Sequence, residues 1–514
     1  MDAGTRQRAG IPPEVVTFLS GKGGRSLIVK GGAGTGKTTF GLELLEKAGR
    51  PGQSFYLSTR VSDEALYRQF PWLKTTEMRT RVFDAGKIFL ETLVGRDKET
   101  APEPSAEVKQ KLQQARDFLR AVGEERGAPT KVDRGQLQSL LQRTRMPELE
   151  HMYDRVERVL PEKALLVVDS LEGVTHKYGL EMEELVMCLQ KDLVENSNTN
   201  VVMILEKPEA GGIEYLVDGL ISFSREELDE RRVRHMRLDK LRATAIPRPR
   251  YAVTLAGGRF EALGIAPRPE TGPAAPKPWK AIPDTERHFS TGIPDFDALL
   301  GGGYKRGSYN GFEIDVQVSI DDYYLLFAPT FMNFLARGGG ILGVLSGGES
   351  PEKLRELLTQ HIPTQTFDDR VRITDYFATE AKAPYILPML RAGREEAQRT
   401  LQGAERAVRG GEGKPFIEYT GFDTLEYLQG DQLAIKSLFM GVERTKIMGD
   451  LGIGLLKPGL LVTSEMINMM DTYFRIVNID NSPCVYGIRP RTMVYAMSVD
   501  TEKGPPHARL TPIV

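Results

Sequence analysis

Cysteine and net charge are both scarce in this 514-residue chain. Its two cysteines, Cys188 and Cys484, lie far apart, each within an apolar pattern. That excludes a disulfide framework and points to buried thiols in a reducing cytoplasm. The formal net charge is −2, which provides no global steering toward nucleic acid or an anionic membrane. The acidic excess of a protein adapted to saturating salt is missing as well. No apolar run reaches the length of about 20 residues that a bilayer span needs, and no signal peptide is read at the start. What remains is an ordinary globular composition, 40% hydrophobic and 27% charged. At this length it predicts two or three cores.

The most informative stretch runs from Ser26 to Leu45. A short apolar strand pattern leads into Gly31-Gly32-Ala33-Gly34-Thr35-Gly36-Lys37-Thr38, followed by Thr39 and a helical pattern with Phe40, Leu44 and Leu45. Glycine, four residues, then Gly-Lys-Thr is the phosphate-loop spacing. The glycines let the backbone wrap round phosphates with its N–H groups turned inward. The helix N-terminus adds partial positive charge. Lys37 is placed to reach the β- and γ-phosphates, and Thr38 to ligate Mg²⁺. ATP and Mg²⁺ are therefore the expected cofactors.

Downstream, Ala164-Leu165-Leu166-Val167-Val168-Asp169-Ser170 reads as a buried parallel strand ending in a carboxylate. It would bring Asp169 beside the phosphate loop as the second metal-orienting group. Further strands are expected at Ser54–Ser58, Arg81–Asp84, Asn200–Glu206 and Glu214–Phe223. Residues 97–160 are charged and helical in pattern, and read as an insertion on the outside of a nucleotide domain. Residues 225–242 are rich in arginine, with Val233, Met236, Leu238 and Leu241 interleaved. This fits a strand with one charged face. A solvated surface, a nucleic-acid patch and a partner-binding face all remain open there. The domain reading is 1–263 for a nucleotide domain, 264–287 for a Pro-rich linker, and 288–514 for a second domain.

That second domain repeats landmarks of the first. Asp423-Thr424-Leu425-Glu426 echoes Asp169-Ser170-Leu171-Glu172, and Ser350-Pro351-Glu352 echoes Ser62-Asp63-Glu64. Leu460–Thr463 is the expected counterpart of the strand Val201–Leu205. The phosphate loop is missing from the repeat. After Tyr309–Ile314 the chain runs Asp315-Val316-Gln317-Val318-Ser319-Ile320-Asp321-Asp322. Its carboxylates would repel a triphosphate.

With Thr291-Gly292 and Asp297 through Gly303 as its entry, the tandem resembles the RecA superfamily, nearest the KaiC branch. The stretch Phe55 to Leu66 is most similar to the archaeal gas vesicle regulator family, GvpD. The resemblance implies an α/β fold: tandem RecA/KaiC-like domains with parallel-rich sheets flanked by helices, the second degenerate. It implies a ring, possibly a hexamer, with ATP held between subunits. It also implies that Lys240 and Arg242, in Lys240-Leu241-Arg242, reach the γ-phosphate of a neighbouring subunit. The family places a pair of glutamates after the second strand, and this chain has Arg60 and Val61 there. The expectation is a slow ATPase of the regulatory kind, cytoplasmic, with a protein partner that reads the bound nucleotide. The alternative is a RecA-type DNA-binding ATPase, disfavoured by the neutral charge. An autokinase would need ATP in the second domain.

Overall fold

Ser26-Leu27-Ile28-Val29-Lys30-Gly31 is mostly apolar and forms the central parallel strand β1 (Ser26–Gly31) of the first unit. The computed structural model describes residues 10–95, 131–132, 134–141, 146–209, 212–264, 278–389, 394–411, 414–500 and 507–514. It divides the chain into two units, Met1–Ile265 with Val514, and Ala266–Ile513.

The sheet of the first unit contains β1, β2 (Ser54–Ser58), β3 (Val82–Asp84), β4 (Leu165–Asp169), β5 (Asn200–Ile204), β6 (Gly219–Leu228), β7 (Arg231–Leu241), β8 (Arg250–Thr254) and β9 (Glu261–Ala262). Their order is β3-β2-β4-β5-β1-β6-β7-β8-β9. Strands β3 through β6 are parallel; β7, β8 and β9 continue the sheet antiparallel. The parallel strands are buried on both faces, which is why they read as continuous apolar runs. Val29, Tyr56, Val167 and Val202 pack with Phe40 and Leu44 of the helix Lys37–Lys47. Ile28, Leu57, Val168 and Met203 face a second cluster containing Met152 and Leu185. Both cysteines are buried free thiols.

Two expectations for the first unit change. Most of the anticipated external insertion, 96–130 with 133 and 142–145, lies outside the described residues. The helix Pro147–Glu157 does not lie on the outside: Leu149, Met152, Tyr153 and Val156 are buried in the core. Their spacing is one helical face, hidden in the sequence by Glu148, Glu150, Asp154, Arg155 and Glu157 between them. The strand expected at Glu214–Phe223 begins only at Gly219. Ile213–Tyr215 is a 3-10 turn. Asp218 then accepts from the Ser26 N–H and hydroxyl, both at 3.2 Å, setting the register at which β6 joins β1.

The second unit has a short hairpin, β10 (His288–Phe289) with β11 (Tyr304–Lys305), and a large sheet. The sheet holds β12 (Ser308–Ile314), β13 (Gly340–Val344), β14 (Val371–Asp375), β15 (Ile386–Pro388), β16 (Phe416–Gly421), β17 (Leu451–Leu456), β18 (Thr472–Ile479), β19 (Ser482–Arg489), β20 (Tyr495–Asp500) and β21 (His507–Pro512). Its order is β15-β14-β13-β16-β17-β12-β18-β19-β20-β21. With β15 removed from the edge, this is the order of the first sheet. The chain therefore consists of tandem α/β units with the same winding, as a RecA/KaiC-like tandem requires. The counterpart of β5 is β17, which pairs with β12 as β5 pairs with β1. It is not Leu460–Thr463, where a turn leads into the helix Thr463–Met469. Glycines at 452 and 454 disguise β17 in the sequence. Gly452 has a packing reason: a Cβ there would stand 2.1 Å from the Tyr309 ring.

Candidate nucleotide site

The loop after β1 leaves the carboxyl edge of the sheet, and β4 ends at the same edge with only β5 between them. This is where open α/β sheets bind ligands. Gly34 and Gly36 adopt φ of 69° and 108°, a region in which a side chain is strained. The Thr35 hydroxyl donates to the Gly32 carbonyl at 2.9 Å and closes the turn. Lys37 opens the following helix and is buried. Its Nζ donates to the carbonyls of Gly31 and Gly32 at 2.6 and 2.8 Å, so the ammonium lies folded across the loop.

The Thr38 hydroxyl donates to Asp169 Oδ2 at 2.7 Å. The two groups expected to share a metal thus meet across the loop, although 131 residues separate them. Thr39 follows, buried. Two hard oxygen donors at the carboxyl edge suit Mg²⁺, which keeps several waters and takes few protein ligands. Burial lowers the Lys37 ammonium from its ordinary range, against the opposing pull of Asp169, Glu206 and Glu172. Burial raises the Asp169 carboxyl, against hydrogen bonds from Tyr56 and Thr38. A metal beside Asp169 and a polyphosphate beside Lys37 would offset the burial of both charges.

Tyr56 joins the site without any announcement in the sequence. Its hydroxyl donates to the same Asp169 oxygen. Tyr56 is buried and stands on β2 beside Val167. It leaves the carboxylate little freedom to rotate. The only signal in the sequence is a polar atom within an apolar strand. Glu206 is also at the site: its carboxylate accepts from the Ser170 hydroxyl at 3.4 Å, and Arg60 forms an ion pair with it. Arg60 and Val61 precede Ser62, which caps the helix Asp63–Gln69 by accepting from the Ala65 N–H.

The structure does not bring Lys240 and Arg242 to this loop. Lys240 donates to the carbonyls of Val217 and Glu214, and Arg242 pairs with Asp218 at 2.9 Å. Asp218 is bonded to Ser26, at the start of β1, whereas the loop begins at its end. About 17 Å of strand separates the two ends, at roughly 3.3 Å per residue. Arg242 is 58% exposed at that far edge.

In the second unit the corresponding loop is closed. Ser319 and Asp322 cap the helix Ile320–Ala336 reciprocally, with the Asp322 carboxylate accepting from the Ser319 N–H at 3.0 Å. The helix N-terminus that would receive a phosphate already has its own carboxylate. Glu349, just ahead of the helix cap Ser350, accepts from the hydroxyls of Tyr323 and Tyr419 at 2.9 and 2.6 Å and from the Ser346 N–H at 2.8 Å. It is a buried structural acceptor, and burial raises its carboxyl.

Comparison with known proteins gives three family matches along the chain. Residues 15–95 match the family described as GvpD gas vesicle protein, P-loop domain. Residues 278–385 match GvpD basic region 2, and residues 130–259 match the KaiC ATPase domain. Protein GvpD2 of Halobacterium salinarum is 24% identical over 98% of this chain and 97% of its own length. Protein GvpD1 of the same organism is 26% identical over 71% of this chain and 62% of its own length.

Proposed function

We propose that this chain, a KaiC-like relative of the GvpD proteins, is a nucleotide-dependent regulator that binds ATP in its first unit and turns it over slowly. The observation that carries this is the convergence of Lys37, Thr38 and Asp169 on one loop, in a chain whose second unit has that loop closed by Asp322. Lys37 leaves the Gly31 and Gly32 carbonyls to contact the terminal phosphates. Thr38 and Asp169 would hold Mg²⁺, which supplies charge neutralisation at those phosphates. Tyr56 keeps the Asp169 carboxylate aimed at the loop. The N–H groups of Gly31 through Thr39 surround the polyphosphate.

One nucleotide per chain is expected. Calorimetric titration with ATP and Mg²⁺ checks this, and two tight sites per chain would overturn the reading of the second unit as closed.

In this reading the chain assembles into a ring, and Lys240 and Arg242 serve the loop of the neighbouring subunit. Their position at the far edge of their own sheet supports service in trans, since neither reaches its own loop. In the Asp218 ion pair Arg242 remains 58% exposed while the buried carboxylate keeps its hydrogen bonds from Ser26, which leaves the guanidinium able to turn toward a phosphate. Arg242→Ala should lower turnover or ATP-dependent assembly by about tenfold or more, as loss of an arginine at a transferring phosphate does. Mixing Arg242→Ala chains with Lys37→Ala chains should restore part of the activity, because some mixed interfaces contain both groups. With mixed rings demonstrated by mass, absence of rescue at every ratio would exclude a shared site. A protein partner that distinguishes the occupied ring from the empty one would convert ATP occupancy into regulation, in keeping with the gas vesicle family.

A further inference from the structure

The hairpin of β6 and β7 runs past the phosphate loop. Gly31 is paired with Phe223, so Arg225 stands two residues beyond the end of β1. Arg225 is paired with Arg234 across the hairpin, and both share a face with Phe223 and Met236. That face also carries Phe40 of the helix that follows the loop, with the Phe40 and Phe223 rings 5.5 Å apart. The two arginines therefore extend the apolar face of the core up to the loop itself. Nη1 of Arg225 lies 3.8 Å from the position a Cβ would take on Gly34. Leu255, just after β8, closes over Gly36 beside them.

Arg234 is 8% exposed, and its Nε and Nη1 are buried without a hydrogen-bond partner. Among the described residues no carboxylate pairs with Arg225 or Arg234. Like charges directly opposite one another in a sheet are destabilising, and a buried charge without a partner costs more. Burial, Arg232 and Arg225 together lower the Arg234 guanidinium from its ordinary range. An anion placed between the two guanidinium groups would offset both costs.

Sheet order says which part of the nucleotide that anion is. Asp169 and Glu206 follow β4 and β5, on one side of β1; the arginines stand on β6 and β7, on the other. The metal and the terminal phosphate belong with Asp169. We propose that Arg225 and Arg234 form a wall of the same chain's nucleotide site and bind the α- and β-phosphates, so that the di- and triphosphate are held alike. This rests on the phosphate-loop reading above. It gives the protein a means of retaining ADP after turnover.

Calorimetry with ADP and with a non-hydrolysable ATP analogue, both with Mg²⁺, tests it. Arg225→Gln and Arg234→Met should each weaken both ligands equally, by about tenfold, the loss of one charge-assisted contact. Ligand-free Arg234→Met should melt at or above the parent's temperature, because the unpartnered charge is gone. A purely structural arginine would instead lower that temperature. Weakening of the ATP analogue alone would place the arginines on the terminal phosphate and overturn the assignment. Unchanged affinities in the exposed Arg225→Gln variant, with the parent binding normally, would overturn it too. A parent that binds neither ligand would instead refute the phosphate-loop reading, and this inference with it.

Discussion

Lys37→Ala is expected to weaken ATP binding by at least about 10²-fold, roughly 3 kcal/mol, as two charge-assisted contacts to phosphate are lost. The lysine is buried at the loop, its ammonium is already partly desolvated, and its only hydrogen-bond acceptors among the described residues are the Gly31 and Gly32 carbonyls. A phosphate offers it a full counter-charge in place of two neutral dipoles. The exchange is favourable because the cost of burying the ammonium has already been met by the fold. Removing the side chain leaves two carbonyls at the mouth of the loop, where water can replace the donor. The ligand-free variant should therefore melt close to the parent. The parent should gain about 2.7 kcal/mol of stability at a nucleotide concentration a hundred times its Kd, and the variant should lose nearly all of that gain. Binding as tight as the parent's would show that Lys37 does not serve the nucleotide.

The parts of this site that are contiguous in the chain are legible in the amino-acid sequence. Gly31 through Thr39 is one unbroken motif, and its spacing alone implies the loop. Asp169 is legible because a strand buried on both faces ends abruptly in a carboxylate. Tyr56, Arg225 and Arg234 are not. Tyr56 reaches Asp169 across 113 residues, through the pairing of β2 with β4, and nothing local to Tyr56 announces that neighbour. The arginines read as one charged strand face, but the hairpin turns at Asp229 and Glu230 and divides them between two strands. Lys240 and Arg242 then fall at one end of the sheet while Arg225 and Arg234 fall at the other. The helix Pro147–Glu157 is obscured for a related reason: its acidic residues are conspicuous and its apolar face is only four residues wide. In β17, glycines stand where strand formers are the usual signal. At Gly452 the ring of Tyr309 supplies the bulk from another strand.

The parent protein is expected to hydrolyse ATP well below one per second, under the low end of ordinary enzyme turnover. The cause is the pair Arg60 and Val61, which follow β2 where relatives are expected to carry glutamates. Neither can take a proton from water, since a guanidinium does not act as a base in proteins and valine has no titratable group. Val61 is 42% exposed, so a carboxylate there would meet no packing obstacle. Glu206 is a further carboxylate at the site. It stands near Lys37 and Asp169, but Arg60 draws it into an ion pair at the rim. A half-exposed pair of this kind is worth about 0–1 kcal/mol, enough to bias where Glu206 points without locking it. Arg60→Glu with Val61→Glu both supplies a carboxylate and releases Glu206. A positioned general base contributes about 10²–10⁴ in rate, roughly 3–5 kcal/mol of barrier, so the double variant should gain at least the lower figure. Binding affinity for ATP should change far less, because the phosphate loop is untouched. Glu206→Gln in the parent background separates the two sources: a further fall in the slow rate identifies Glu206 as the residual base. Turnover of tens per second by the parent would mean that an efficient base is already in place. It would also mean that Arg60 does not restrain the site, and a switch that holds ATP for long times could not be built on it.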